Sequence, residues 1–178
     1  MRKALALGTA VSALALGLTG TSASASSALV SLAVGLDTPT LSIAAPTAVV
    51  VASSPAVATI ATTVTDTRLS NGVGWTATIS SQNLTLTGAT SPGTTETIQA
   101  STMTAYTGDV NSTVPGTASI TGEYLPGAPL ALTNSLQTFV TAANRTNANT
   151  AVYTATVTIP TAGKTAGVYT GNVTQSAS

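Results

Sequence analysis

Apolar and polar residues alternate in short segments that follow one another from about residue 40 to the C-terminus. In residues 75–80 and 153–159 every second residue is apolar, and the residues between them are Thr or Ser. A period of two is typical of β-strands that turn one face to a core and the other to water. No segment after residue 26 shows the 3.6-residue period of an amphipathic helix.

Gly, Pro and Asn separate these segments at intervals typical of an all-β sandwich or barrel. The sequence therefore predicts an antiparallel β-sandwich of the Ig-like or Greek-key type. Residues 137–144 fit either a strand or a helical turn. The predicted strands are Leu41–Ala44, Ala48–Val51, Thr59–Thr67, Trp75–Ser80, Thr97–Ala100, Met103–Thr107, Ala118–Tyr124, Ser135–Ala142, Val152–Ile159 and Val168–Gln175.

The N-terminus has the three parts of a secretory signal peptide. Arg2 and Lys3 precede an apolar run over residues 4–18, and Ala23-Ser24-Ala25 fits the cleavage pattern of small residues. The run is shorter than the ~20 residues that span a bilayer, although an uncleaved N-terminal anchor is the alternative. The predicted organisation is a signal peptide over 1–25, a lead-in segment or first strand over 26–39, and a single β-sandwich domain over 40–178.

The amino-acid composition excludes several kinds of catalytic and metal-binding site. Thr makes up roughly a fifth of the chain and favours the half-buried surfaces of sheets. The chain has no Cys and no His, which excludes disulfides, thiol nucleophiles, imidazole metal sites and a Ser–His–Asp triad. We therefore expect no cofactor and no metal site.

The net charge bears on which classes of partner the chain could bind. Lys and Arg number five, as do Asp and Glu. Loss of Arg2 and Lys3 leaves three positive and five negative residues, a net charge of −2. A mildly acidic chain is not expected to bind nucleic acid, nor a membrane once the signal peptide has been removed.

The acidic residues lie in or beside predicted turns, so we expect solvated loop charges rather than the carboxylate pair of a glycosidase. Asp66-Thr67-Arg68 is the most informative group. We expect a structural turn in which Asp66 pairs with Arg68 or accepts backbone N–H bonds. Asp109 and Asn111 offer too few oxygen ligands for calcium. The chain is not expected to be an enzyme, and a hydrolase that uses Asp or Glu is the alternative.

The aromatic residues are few. Trp75 is the one candidate ligand-binding residue, although its place among apolar neighbours at alternate positions also fits a core position. Tyr153 and Tyr169 lie near the starts of strands, where we expect a ring to be buried and its hydroxyl to remain in water.

Two segments resemble secreted WxL-like β-domains of Gram-positive, mostly actinobacterial, surface proteins. The first is Val64-Thr65-Asp66-Thr67-Arg68 followed by Gly74-Trp75-Thr76-Ala77-Thr78-Ile79-Ser80, and the second is Ala166-Gly167-Val168-Tyr169-Thr170-Gly171-Asn172-Val173-Thr174. The resemblance implies an extracellular, non-catalytic all-β domain that attaches noncovalently to the cell wall, with peptidoglycan as ligand. The sequence departs from the family pattern, since Ala77 replaces the Leu of the first motif and the last strand has no Trp.

These observations predict a secreted structural or binding module at the cell surface, associated with the wall. Peptidoglycan or other surface proteins are the expected partners. The alternative is a self-associating matrix or filament subunit, in which a strand such as Leu29–Leu36 adds to a neighbour's sheet edge.

Overall fold

The structure, a computed structural model, describes residues 8–17, 41–45, 49–51, 55–68, 71–89, 95–113, 116–121 and 124–178. Strands dominate these residues, and the helical element among them is a single 3-10 turn, Ala100–Thr102. The strands form two antiparallel sheets that pack against each other. The predicted antiparallel β-sandwich is therefore confirmed.

In the described residues the first sheet has seven strands, in the spatial order β10-β12-β5-β14-β6-β7, with β1 also paired to β14. Its strands are β1 (Gly8–Gly17), β5 (Trp75–Ser81), β6 (Leu84–Ala89), β7 (Thr97–Ile98), β10 (Thr117–Thr121), β12 (Gln137–Thr146) and β14 (Gly167–Ala177). One edge of β14 pairs first with β6 and then with β5, and its other edge pairs with β1.

The second sheet, over the same part of the chain, has the order β11-β8-β13-β4-β2, with β3 paired to β4 and β9 paired to β13. Its strands are β2 (Leu41–Ala44), β3 (Val49–Val51), β4 (Ala56–Asp66), β8 (Thr104–Thr107), β9 (Asn111–Thr113), β11 (Leu130–Ala131) and β13 (Asn149–Ile159). The long pair β4–β13 forms the centre of this sheet, with eleven residues in register from Asn149 opposite Asp66 to Ile159 opposite Ala56.

The alternation in the sequence correctly gives the core faces of the central strands. In β5, Trp75, Ala77 and Ile79 are all buried, and in β13 the apolar residues at odd positions are buried as well. The opposite faces of these strands are less exposed to solvent than the alternation predicts, since Ser80 and Thr156 are also buried.

The differences from the predicted strands have identifiable causes. Residues 137–146 form a strand, not a helical turn, because they pair with both β5 and β10. The strand β6 was not predicted, although Leu84 and Leu86 alternate with threonines in the same way as elsewhere. The short strands β9 and β11 carry little periodicity and exist only because β13 and β8 offer them backbone partners.

Part of the predicted signal peptide is a strand in the structure of the whole chain, since residues 8–17 form β1. Residues 26–39, the predicted lead-in segment, lie outside the described residues. Removal of residues 1–25 stays a prediction. In the described ranges no helix has the length and apolar character needed to cross a membrane.

Candidate functional site: a buried ion cluster and a threonine face

Asp66 ends β4 with its side chain completely buried. Its Oδ1 accepts hydrogen bonds from the backbone N–H of Arg68 at 3.0 Å and from Arg68 Nε at 2.9 Å. Its Oδ2 accepts a third bond from Arg68 Nη2 at 2.7 Å. Both contacts that the sequence offered for this turn, the ion pair and the Asx-type bond, are therefore present together.

Arg145 is the residue that sequence analysis missed. It lies in β12, is fully buried, and its Nε is 2.9 Å from Asp66 Oδ2. Its guanidinium also donates to the backbone carbonyls of Val73, Arg68 and Asn147. Asn144 and Asn147, on either side of it, have positive φ, a conformation that Asn tolerates better than most residues. These two residues with positive φ interrupt the regular strand conformation on either side of Arg145. The alternation of apolar and polar residues therefore does not indicate that Arg145 points inward.

The ion cluster of Asp66, Arg68 and Arg145 joins the two sheets. Asp66 belongs to the second sheet and Arg145 to the first, while Arg68 lies in the connection between β4 and β5. The hydrogen bonds to the Asp66 carboxylate raise the pKa of Arg68, against the opposing effect of burial. The expectation that the acidic residues are solvated loop charges is therefore wrong for Asp66.

Trp75 lies directly beside this cluster. Arg68 Nη2 donates to the carbonyl of Gly74 at 2.9 Å, and the next residue, Trp75, is only 2% exposed. Gly74 is required here, because a Cβ at this position would lie 2.0 Å from the carbonyl oxygen of Ala142 in β12. The buried ring favours the core role that the sequence left open for Trp75 over direct contact with a ligand. The indole Nε1 is buried without a hydrogen-bond partner.

A second polar cluster lies at the other end of β14. Tyr169 is buried, and its hydroxyl donates to Glu96 Oε2 at 2.7 Å, while the backbone N–H of Thr165 donates to the same oxygen at 2.8 Å. Lys164 Nζ is 3.1 Å from Glu96 Oε1. The hydroxyl of the other buried tyrosine, Tyr153, donates to Gln175 Oε1 at 2.8 Å. The expectation that both hydroxyls remain in water is therefore wrong.

The pKa values of the Glu96 pair shift in opposite directions. The hydrogen bond from Tyr169, followed by those from Thr165 and Lys164, lowers the pKa of Glu96 to about 2. Burial, followed by the bond to Glu96, raises the pKa of Tyr169 to about 12. Both shifts favour an ionised carboxylate that accepts a bond from a neutral phenol at neutral pH.

The outward side of the second sheet carries hydroxyl groups and no charged side chain among its described residues. Thr154 lies opposite Ala61, and Thr156 lies between Thr59 and Tyr106. We call this surface the threonine face. It is formed by alternate residues of β4, β8 and β13, of which the polar ones include Thr59, Thr63, Thr65, Thr104, Tyr106, Thr154, Thr156 and Thr158. Thr156 is buried, and the apolar Val57, Ala61 and Val152 lie between the hydroxyl groups on the same face.

The described carboxylates do not form a pair that faces a common space. Asp66 is held by two arginines, Glu96 is held at the end of β14, and Asp109 is exposed in the loop after β8. Asp37 and Glu123 lie outside the described residues. Among the described residues no group of three or more acidic side chains has the arrangement of a metal site.

The replacement Asp66→Asn is expected to lower the free energy of unfolding by about 3–5 kcal/mol, because it leaves a buried guanidinium without its counter-charge. The control Asp109→Asn makes the same chemical change at an exposed position and is expected to alter stability by less than about 0.5 kcal/mol. Urea unfolding of both variants measures the difference. Equal effects would mean that the buried pair contributes no more than a surface charge.

The replacement Trp75→Ala is expected to cost about 3–5 kcal/mol through lost burial and a residual cavity. Trp75→Phe keeps an aromatic ring and removes the unpaired N–H, so it is expected to cost less. The chain has a single Trp, so the emission of the wild type reports on this ring alone. A blue-shifted emission protected from iodide agrees with the buried position, and emission typical of indole in water would contradict it.

Stability is expected to fall as the pH falls from about 4.5 to about 2. The folded protein keeps Glu96 ionised down to about pH 2, whereas the unfolded chain protonates near its ordinary value of 4.5. In this window the unfolded state binds more protons, so acid favours unfolding. Glu96→Gln should show a shallower loss than the wild type, as measured by urea unfolding at several pH values. Parallel curves for the two proteins would rule out this contribution of Glu96.

Comparison of the chain with protein-family models, with curated proteins and with solved structures finds no match. The WxL-like resemblance therefore rests on the two segments that contain Asp66, Trp75 and Tyr169. Each of these residues has a structural role in the ion cluster, the core or the Glu96 cluster.

Proposed function

We propose that the chain is a secreted, non-catalytic module of a Gram-positive cell surface that associates with the wall through its threonine face. The ligand class is an uncharged stretch of wall glycan, of which peptidoglycan is the expected source. The protein is WxL-like in this proposal, and its location is extracellular.

The threonine face is the observation that carries the proposal. A row of hydroxyls on a sheet offers both donors and acceptors to the hydroxyls of a sugar chain. Thr59 and Thr154 are exposed, and Tyr106 adds a half-buried ring beside them. The small net charge gives no long-range attraction to an anionic surface, so contact must depend on short-range polar and apolar matching.

The positions of the polar groups support a binding module over a hydrolase. A hydrolase that uses Asp or Glu needs carboxylates free to face a substrate. Among the described residues, the carboxylates of Asp66 and Glu96 instead accept hydrogen bonds from other groups of the protein. Trp75 is assigned to the core in this proposal, so the wall contact does not depend on it.

The variant Thr154→Glu is expected to weaken binding to purified cell walls at least about tenfold, because a charge buried in the contact without a partner costs more than about 1.4 kcal/mol. Thr85→Glu is the matched control, since Thr85 is an exposed strand residue of the first sheet. Co-sedimentation of each secreted protein with walls gives the bound fraction. Equal loss in both variants, or no binding by the wild type, would reject the threonine face as the contact.

A further inference from the structure

Among the residues that the structure describes, one edge of β14 pairs with the predicted signal peptide alone. Its ten-residue pairing with β1 runs from Gly8 opposite Ala177 to Gly17 opposite Val168. The opposite edge of β14 is already occupied by β5 and β6. Removal of residues 1–25, which is part of the proposed function, would leave the backbone groups of this long edge without partners. An open edge of this kind is a template for another strand.

The segment that follows the predicted cleavage site resembles β1 in composition, with four of ten residues identical. Residues 8–17 read GTAVSALALG and residues 26–35 read SSALVSLAVG. The two segments share Ala, Leu-Ala and Gly at the same positions, and Leu16, the partner of Tyr169, corresponds to Val34. Residues 26–35 are therefore suited to the same pairing with β14.

The same molecule cannot supply this segment in the orientation of β1. Leu41 lies at the end of the sandwich where β1 begins. It pairs with Asp66, and Arg68, which binds Asp66, donates a hydrogen bond to the carbonyl of Gly74 just before β5. Thr76, two residues on, exchanges backbone hydrogen bonds with Ser178, which follows the partner of Gly8.

A chain that has filled the position of β1 must therefore return along the whole strand, about 30 Å at about 3.3 Å per residue, to reach Leu41. The six steps from Gly35 to Leu41 reach only about 20 Å.

We propose that residues 26–35 of a second copy add to the free edge of β14, antiparallel and in the register of β1. Ser31 of one molecule then lies opposite Asn172 of the next, as Ala13 does in the whole chain. In this proposal each molecule donates its N-terminal segment to one neighbour and accepts a segment from another. Such a head-to-tail contact generates a linear assembly unless its rotation closes a ring.

The absence of Cys allows a direct test by disulfide trapping. The chain is secreted from a Gram-positive host as Ser31→Cys and, separately, as Asn172→Cys, and the N-terminal residue of each product is sequenced. The two proteins are mixed under mild oxidation and analysed without reductant. The expected product is the mixed dimer, and a synthetic peptide of residues 8–17 should suppress it by filling the same edge.

Two control variants define the geometry. Ser119→Cys places a thiol at an exposed position on β10, in the same sheet but away from β14, and should not trap Ser31→Cys. Ala13→Cys with Asn172→Cys, made as the unprocessed chain, should form an internal disulfide. Circular dichroism and Trp75 emission show whether each variant has folded.

A ladder of multimers from the double variant Ser31→Cys and Asn172→Cys supports the proposal. Three trapping results would overturn the proposal: an internal disulfide in that variant, equal trapping at Ser119→Cys, or no trapping by protein that is folded and processed. A secreted product whose N-terminus is Met1 would also overturn it. Wall binding is measured separately. Trapping without wall binding would reject the threonine face as the wall contact and support strand addition. Wall binding without trapping would reject strand addition and support the threonine face.

Discussion

The contact between Asp66 and Arg145 connects the two sheets at one end of the sandwich. Neither side chain has any exposed surface, so each charge depends on the other and on the surrounding backbone carbonyls. Replacing such a pair by apolar residues of similar volume is often neutral, so a buried ion pair is by itself weak evidence of added stability. What the contacts define is an arrangement of side chains and backbone carbonyls. Here the arrangement includes the β4–β5 connection, because Arg68 and Val73 are held by the same groups.

The core on which this cluster rests is built largely from small residues. Alanine fills many of the buried positions, and aromatic contacts are concentrated at Phe139, which is 5.8 Å from Tyr124 and 6.2 Å from Tyr153 between ring centroids. Buried polar side chains add directional links between the sheets. Gln175 of β14 donates to Thr62 of β4 at 3.0 Å and accepts from Tyr153. Such bonds specify how the sheets face each other, which small apolar side chains alone do poorly.

The two surfaces assigned to interaction lie on different parts of the sandwich. The threonine face belongs to the second sheet, and the edge of β14 belongs to the first. A linear assembly joined along β14 would therefore leave the threonine faces of its members free for a repeated contact. Repetition raises avidity without any new type of contact, which suits a module whose individual polar contacts are weak.

The sequence by itself determined the fold class and most of the central strands. Alternation in residues 75–80 and 153–159 follows directly from the pleat of a strand, so the buried faces of β5 and β13 could be predicted without a structure. It also determined the turn at Asp66 and Arg68, because that geometry involves residues two apart.

Only the tertiary structure decided that Arg145 completes this turn from 77 residues beyond Arg68. The edge strands β9 and β11 and the pairing of Glu96 with Tyr169 are of the same kind. Each depends on groups distant in the chain, and local periodicity carries no information about which distant groups meet once the two sheets pack.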